Sequence, residues 1–303
     1  MRSSNFELLR LVSMFFIVLY HILLFIIVDI DNSPIYKAMW IPLHVAVICF
    51  VLISGYFHIR PSLRGGIKLI IPLLIYYLPL TILELVNGVG SIKNLLFFSK
   101  SPYWYIRTYL CLFLMAPALN AYLTSNRRRL YLLIALGFIA IYMGNLHESS
   151  LRGGKNLSLF MFLYVIGDSL RANKSIYEGY SLWKLVLVWF LLNVILVLGF
   201  MMGRDAIIGK VLWLMSFPYC SPILITNATL LFVIFAKLEI RSNVINWLSS
   251  SVLSVYIIHH QHYVLYSIIG VAALYGYRIL TSPAILFLYL SALTVIVNLL
   301  CIM

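Results

Sequence analysis

Residues 8–30 read LLRLVSMFFIVLYHILLFIIVDI, and this run decides the fold class. A helix needs about 20 mostly apolar residues to cross roughly 30 Å of hydrocarbon. Inside a bilayer every backbone amide must be satisfied within its own segment or in a closed barrel. Barrel strands alternate apolar and polar residues over about ten positions, and this run does not alternate. It reads as a membrane helix.

The rest of the chain repeats the pattern. Its 303 residues are 63% hydrophobic and 10% charged, with mean hydropathy +1.01. Soluble domains carry about 25% charged residues, so an aqueous fold would lack the polar side chains to cover its surface. Further apolar segments follow at Met39–Phe57, Ile67–Val86, Tyr103–Leu123, Leu130–Gly144, Leu157–Leu170, Leu182–Met202, Tyr219–Ala236, Ser251–Ala273 and Ser282–Cys301. The expectation is an all-α integral membrane protein with about ten transmembrane helices, forming one polytopic domain over residues 1–303. The stretch Arg204–Pro218 is apolar enough to dip into the interface. The first run exceeds the usual apolar core of a cleavable signal, so it is expected to stay as a span.

Net charge is +13, from 22 Lys and Arg against 9 Asp and Glu. In this setting the cations face lipid headgroups in short connectors and set orientation, and nucleic acid is not an expected partner. With the N-terminus in the cytoplasm, Arg60, Arg64, Arg127, Arg128, Arg129, Arg171, Lys174, Lys237 and Arg241 fall inside. Lys37, Lys93, Lys100, Arg152, Lys155, Arg204, Lys210 and Arg278 fall outside. The run Arg127–Arg129 is hard to translocate, so both termini are expected to be cytoplasmic. Cys49, Cys111, Cys220 and Cys301 are scattered and read as small apolar residues.

Ionisable residues inside spans are costly and are therefore candidates for chemistry. Arg10 and His21 are eleven residues apart, three helical turns, and share one face over about 16 Å. Glu7 lies one turn before Arg10 and can pair with it. A charged pair at a helix end snorkels to the headgroups, and a buried imidazole can be a hydrogen-bonded packing residue. A mid-membrane imidazole is also the side chain best able to exchange a proton near neutral pH.

Four further patterns stand out. Ser54-Gly55-Tyr56 closes the second span, where small residues let helices approach closely. Arg60, Arg64 and Lys68 are spaced by four and, if helical, share a face suited to phosphate as well as to headgroup anchoring. Trp104, Tyr105 and Arg107 open the fourth span, as an interfacial belt or a platform for sugar rings. Tyr256-Ile-Ile-His259-His260-Gln-His262 lies in the ninth. His259 and His262 are one turn apart, but no carboxylate, cysteine or HExxH spacing supports a metal there, and no metal is expected.

Taken in order, these features resemble the acyltransferase-3 family of bacterial membrane acyltransferases. The resemblance rests on Asn5-Phe-Glu7-Leu-Leu-Arg10, then ten intervening residues and His21. It continues through Phe50-x-x-x-Ser54-Gly55-Tyr56, the basic connector, Pro72, Trp104-Tyr105, Pro117 with Asn120, and Tyr256-x-x-His259. The family often carries R-x-x-R before the third-span proline, whereas Arg64 and Lys68 here are one residue off that spacing. Many members also carry an SGNH-type esterase domain, for which these residues leave no room.

The resemblance implies transfer of an acyl group, usually acetyl, from cytoplasmic acetyl-CoA as co-substrate to a hydroxyl of a cell-surface polysaccharide or its lipid-linked precursor. It implies a multi-pass protein of the bacterial inner membrane, with envelope-assembly proteins as further partners. His21, Arg10 and Glu7 would then carry the chemistry. Arg60, Arg64 and Lys68 would hold the acyl donor. Ser54, Tyr56, Trp104, Tyr105, Arg107 and His259 would contact the acceptor. A glycan flippase would instead show inverted repeats and many lined spans, and a glycan polymerase a long external loop; neither pattern is visible.

Overall fold

The computed structural model describes residues 3–29, 34–88, 91–95, 103–146, 152–201, 219–261, 263–280 and 282–301. Among these the regular structure is entirely helical. The α-helices are α1 Ser4–Asp29, α2 Pro34–Trp40, α3 Val45–Phe57, α4 Leu63–Pro72, α5 Leu78–Val86, α6 Trp104–Tyr122, α7 Asn126–Gly137, α8 Leu157–Ala172, α9 Lys174–Glu178, α10 Leu182–Met201, α11 Pro222–Ala236, α12 Asn243–Leu248, α13 Val252–His259, α14 Val271–Ile279 and α15 Pro283–Leu300.

Within the described residues the expected spans lie mainly on helix, and two of the interruptions fall at prolines, whereas Pro117 stays inside α6. Pro42 lies in a tight 3-10 turn, Ile41–His44, between α2 and α3. Pro72 is followed by a π-turn over Leu73–Tyr77, so 63–86 runs as one interrupted rod; a proline cannot donate to the i−4 carbonyl, and the ladder slips past it. Among the described residues, four helical stretches are long and apolar enough to cross a membrane: Ser4–Ile27, Ala38–Phe57, Leu63–Val86 and Pro283–Leu300. Their best windows have mean hydropathy between 2.1 and 2.3. Leu182–Leu198, Pro222–Ala236 and Val264–Ile279 are apolar but shorter. Arg204–Pro218 lies outside the described residues.

Two expectations about the connectors change. The run Arg127–Arg129 is the first turn of α7 rather than a loop, because Ser125 caps that helix by accepting from Arg128 N. Arg60 is likewise not on a helix with Arg64 and Lys68. Pro61 follows it, and Ser62 caps α4 by accepting from Gly65 N at 3.0 Å. Only Arg64 and Lys68 share a helical face.

The chain forms two compact units, each drawn from three segments. The first comprises Met1–Leu9, His44–Pro61 and Thr108–Arg241. Its centre is α3 against α8, which glycines bring into backbone contact. A Cβ on Gly55 would stand 2.1 Å from the Tyr164 carbonyl oxygen, and one on Gly167 would stand 2.3 Å from that of Leu52. Helix α11 packs on α3, and α10 on α11, where buried Asn193 and Asn227 exchange amide hydrogen bonds of 3.0 and 3.3 Å.

The second unit comprises Arg10–Leu43, Ser62–Arg107 and Ser242–Met303. Helix α13 packs on α4 and on the π-turn after Pro72, and α14 packs on α15. Gly276 gives its place to the Tyr289 ring, whose hydroxyl donates to Ala272 O at 3.0 Å.

Candidate active site built on three histidines

Within the second unit, α1 and the end of α13 bring His21, His259 and His260 together. Ring centroids are 4.2 Å apart for His21 and His260, 4.5 Å for His259 and His260, and 5.3 Å for His21 and His259. Successive residues of a helix diverge by about 100° and cannot both face one neighbour. Here α13 stops at His259 and the chain turns at His260, so both rings reach His21.

The hydrogen bonds fix the tautomers. His21 Nδ1 lies 2.7 Å from Ile17 O, and His259 Nδ1 lies 2.7 Å from Val255 O. A carbonyl only accepts, so both Nδ1 atoms carry the hydrogen and both Nε2 atoms carry a lone pair in the neutral rings. The His259 Nε2 lone pair lies 3.4 Å from His21 Nδ1, in reach of the same hydrogen. His259 is fully buried and His21 half-buried. The two contacts thus set His21 as the Nδ1–H tautomer, with the lone pair on Nε2.

Aromatic rings wall the cluster. Tyr20 meets His21 edge-on at 5.0 Å and stacks on Trp40 at 4.9 Å. Tyr256 lies 5.3 Å and Tyr103 5.8 Å from the His260 ring. Tyr103 is fully buried and donates to Ile257 O at 3.1 Å, tying the start of the fourth span to α13. Tyr105 approaches Tyr256 at 5.9 Å and Trp104 adjoins Tyr105 at 6.2 Å, so both belong to this wall, half-exposed. Arg107 lies one turn further along α6 and is half-exposed. Arg10 is on α1 with His21, three turns away, and Arg64 and Lys68 are exposed on α4.

The remaining expected site residues lie in the first unit. Glu7 is buried and Arg60 exposed. Ser54 Oγ donates to Phe50 O at 2.9 Å, and the Tyr56 ring packs on Phe6, Phe57 and Phe232 at 5.1 to 5.3 Å. Asn120 donates to Ile59 O at 2.9 Å and accepts from Tyr164 OH at 2.7 Å, joining α6, α8 and the end of α3. These contacts give Ser54, Tyr56 and Asn120 places in the packing of the first unit.

A second polar cluster in that unit has no counterpart in the sequence reading. Asp168 is fully buried on α8 and accepts from Arg129 Nε at 2.6 Å, Arg171 at 2.9 Å and His58 Nε2 at 2.6 Å. The His58 contact needs a hydrogen on Nε2, so the 3.0 Å approach of Arg171 to that nitrogen is packing and not a second hydrogen bond. Arg129 also donates to Asn126 Oδ1 at 3.1 Å and Leu123 O at 2.9 Å, which completes its fork. His58 itself ends α3 at φ 59°, its N–H donating to Gly55 O at 3.4 Å.

His262 lies outside the described residues. Two features were not legible in the sequence: the place of His260 in the histidine cluster and the structural hub at Asp168. The His-His doublet was the available signal for the first; for the second there was only a lone acid in an apolar segment.

The model of the acyltransferase-3 family, described as an acyltransferase domain, matches residues 3–303. No curated protein and no solved structure matches the chain.

Proposed function

Since the chain belongs to the acyltransferase-3 family, we propose that it is a multi-pass acyltransferase of the bacterial inner membrane, moving an acetyl group from cytoplasmic acetyl-CoA to a glycan hydroxyl. The observation that carries this reading is the fixed tautomer of His21. With Nδ1–H held by Ile17 O and His259 Nε2, the Nε2 lone pair is the base.

In the reaction His21 Nε2 takes the proton of the acceptor hydroxyl, whose oxygen attacks the thioester carbonyl. The carbon–sulfur bond breaks, and the thiolate of CoA leaves and recovers the proton from the imidazolium. His259 is a positioning residue: its lone pair faces the hydrogen that His21 must keep, and so holds the orientation of the ring. The tyrosine and tryptophan rings around the cluster suit the apolar faces of a sugar. A CoA thioester is polyanionic and stays out of hydrocarbon, so exposed Arg64 and Lys68, one turn apart on α4, suit its phosphates. Exposed Arg60 is a separate candidate in the first unit. This assigns those three residues and the chain termini to the cytoplasmic side. The acceptor is a surface polysaccharide or its lipid-linked precursor.

The test uses purified full-length protein in nanodiscs with radiolabelled acetyl-CoA and lipid-linked glycan. Label is expected on the glycan, and His21→Gln should abolish transfer, because glutamine keeps a hydrogen bond but cannot take a proton. Near-normal transfer by a well-folded His21→Gln protein would make His21 a packing residue. Label stable on the protein itself would make it a nucleophile instead of a base.

A further inference from the structure

The same three rings satisfy a requirement that acyl transfer does not impose. One ring nitrogen from each of His21, His259 and His260 lies within 4.8 Å of the other two. Three imidazoles on a tetrahedral zinc-class ion, with bonds of about 2.0–2.1 Å, stand about 3.4 Å apart. Closing from within 4.8 Å to that spacing takes shifts of no more than about 1.4 Å, within the reach of side-chain rotation.

The surroundings match as well. Metal-bound histidines usually donate their other ring N–H to a carbonyl or carboxylate, which fixes the ring and the lone pair. His21 and His259 both do so, each to the carbonyl four residues earlier. The shell of Tyr20, Tyr103 and Tyr256 keeps the cluster in an aromatic, poorly hydrated setting. Sequence spacing pointed to His259 with His262, a pair on one turn of a helix; the turn at His260 substitutes a pair from one helix end and a third ring from α1.

We infer that His21, His259 and His260 form a binding site for a divalent transition-metal ion of the zinc class. Three neutral nitrogens leave the fourth position to water or an anion. The ion and a proton-accepting His21 exclude one another, because metal binding uses the lone pairs on which the base and its His259 support depend. Resting on the acyltransferase reading, the site is therefore inhibitory: zinc silences transfer and a chelator restores it.

The experiment titrates cobalt(II), a spectroscopic substitute for zinc, into chelator-stripped full-length protein in nanodiscs, purified without a histidine tag. The expected result is one cobalt per chain with visible d–d bands of tetrahedral type. It should lack the thiolate charge-transfer band that Cys49, Cys111, Cys220 or Cys301 would give. His260→Gln should weaken cobalt binding at least about tenfold. No band in the wild-type protein, or a band of equal affinity in His260→Gln, overturns the site. Transfer is read separately in chelator and in zinc. Activity in chelator with no cobalt bound removes the metal and keeps the enzyme. Cobalt bound with no transfer under any condition keeps the metal and removes the enzyme. Cobalt bound with transfer unaffected by saturating zinc overturns the inhibitory role.

Discussion

The two polar clusters differ in how their donors and acceptors balance. At Asp168 one buried carboxylate meets three donors, and Arg129 spends the rest of its fork on Asn126 and Leu123 O. Every strong group there has an opposite, so the cluster holds α7, α8 and the end of α3 and has little left for chemistry. At His21 the Nδ1 hydrogens go to backbone carbonyls, and the His259 Nε2 lone pair faces His21 Nδ1. Such an arrangement gathers neutral ring nitrogens, the form that takes up a proton or a metal. Charge pairing marks the scaffold cluster, and gathered imidazoles mark the candidate reactive one.

The comparison breaks most sharply under substitution of the central residue of each cluster. His21→Gln is expected to reduce transfer by about 10²–10⁴-fold, the range for losing a general base, with thermal stability in detergent unchanged. Asp168→Ala should do the reverse to the fold, costing about 3–5 kcal/mol because Arg129, its side chain only 12% exposed, loses its counter-charge. Thermal unfolding followed by fluorescence separates the two outcomes. Equal loss of stability in both variants would erase the distinction between the clusters.

A sharper form adds Arg129→Leu to Asp168→Ala. Removing both partners should recover part of the lost stability, since an apolar pair needs no compensation. If the double variant is no better than the single one, the cluster does more than neutralise a buried charge.

Packing within the first unit supplies a smaller effect. Gly55→Ala should cost about 1–3 kcal/mol, because its Cβ meets the Tyr164 backbone, which cannot swing aside. Gly66→Ala on α4, with nothing within 4 Å, should be neutral or gain up to about 1 kcal/mol of helix propensity. The same unfolding assay reads both, and equal effects would remove the close α3–α8 contact as the reason for Gly55.

The smallest expected signal tests sidedness. Single cysteines at Ser62 and Ser125, each a helix cap next to basic residues, should resist impermeant thiol reagents in intact cells, in a background lacking the native cysteines. Labelling at either would reverse the orientation proposed for the acyl donor.

Much of the fold was legible because length and hydropathy are properties of each segment alone. Apolar runs with no polar alternation leave a chain no choice but helix in a bilayer. Part of the site was legible for the same reason. Arg10 and His21 share a helix, so their spacing sets their geometry, and Tyr256-x-x-His259 lies on α13. Tertiary structure decided the rest. That His259 backs His21 depends on where α1 meets α13, and that His260 joins them depends on α13 ending one residue earlier. Asp168 becomes a hub only because α7, α8 and the chain after α3 converge on it, residues up to 110 positions apart. Spacing carries information along one helix; a lone carboxylate or a second histidine acquires its role from neighbours that no local pattern encodes.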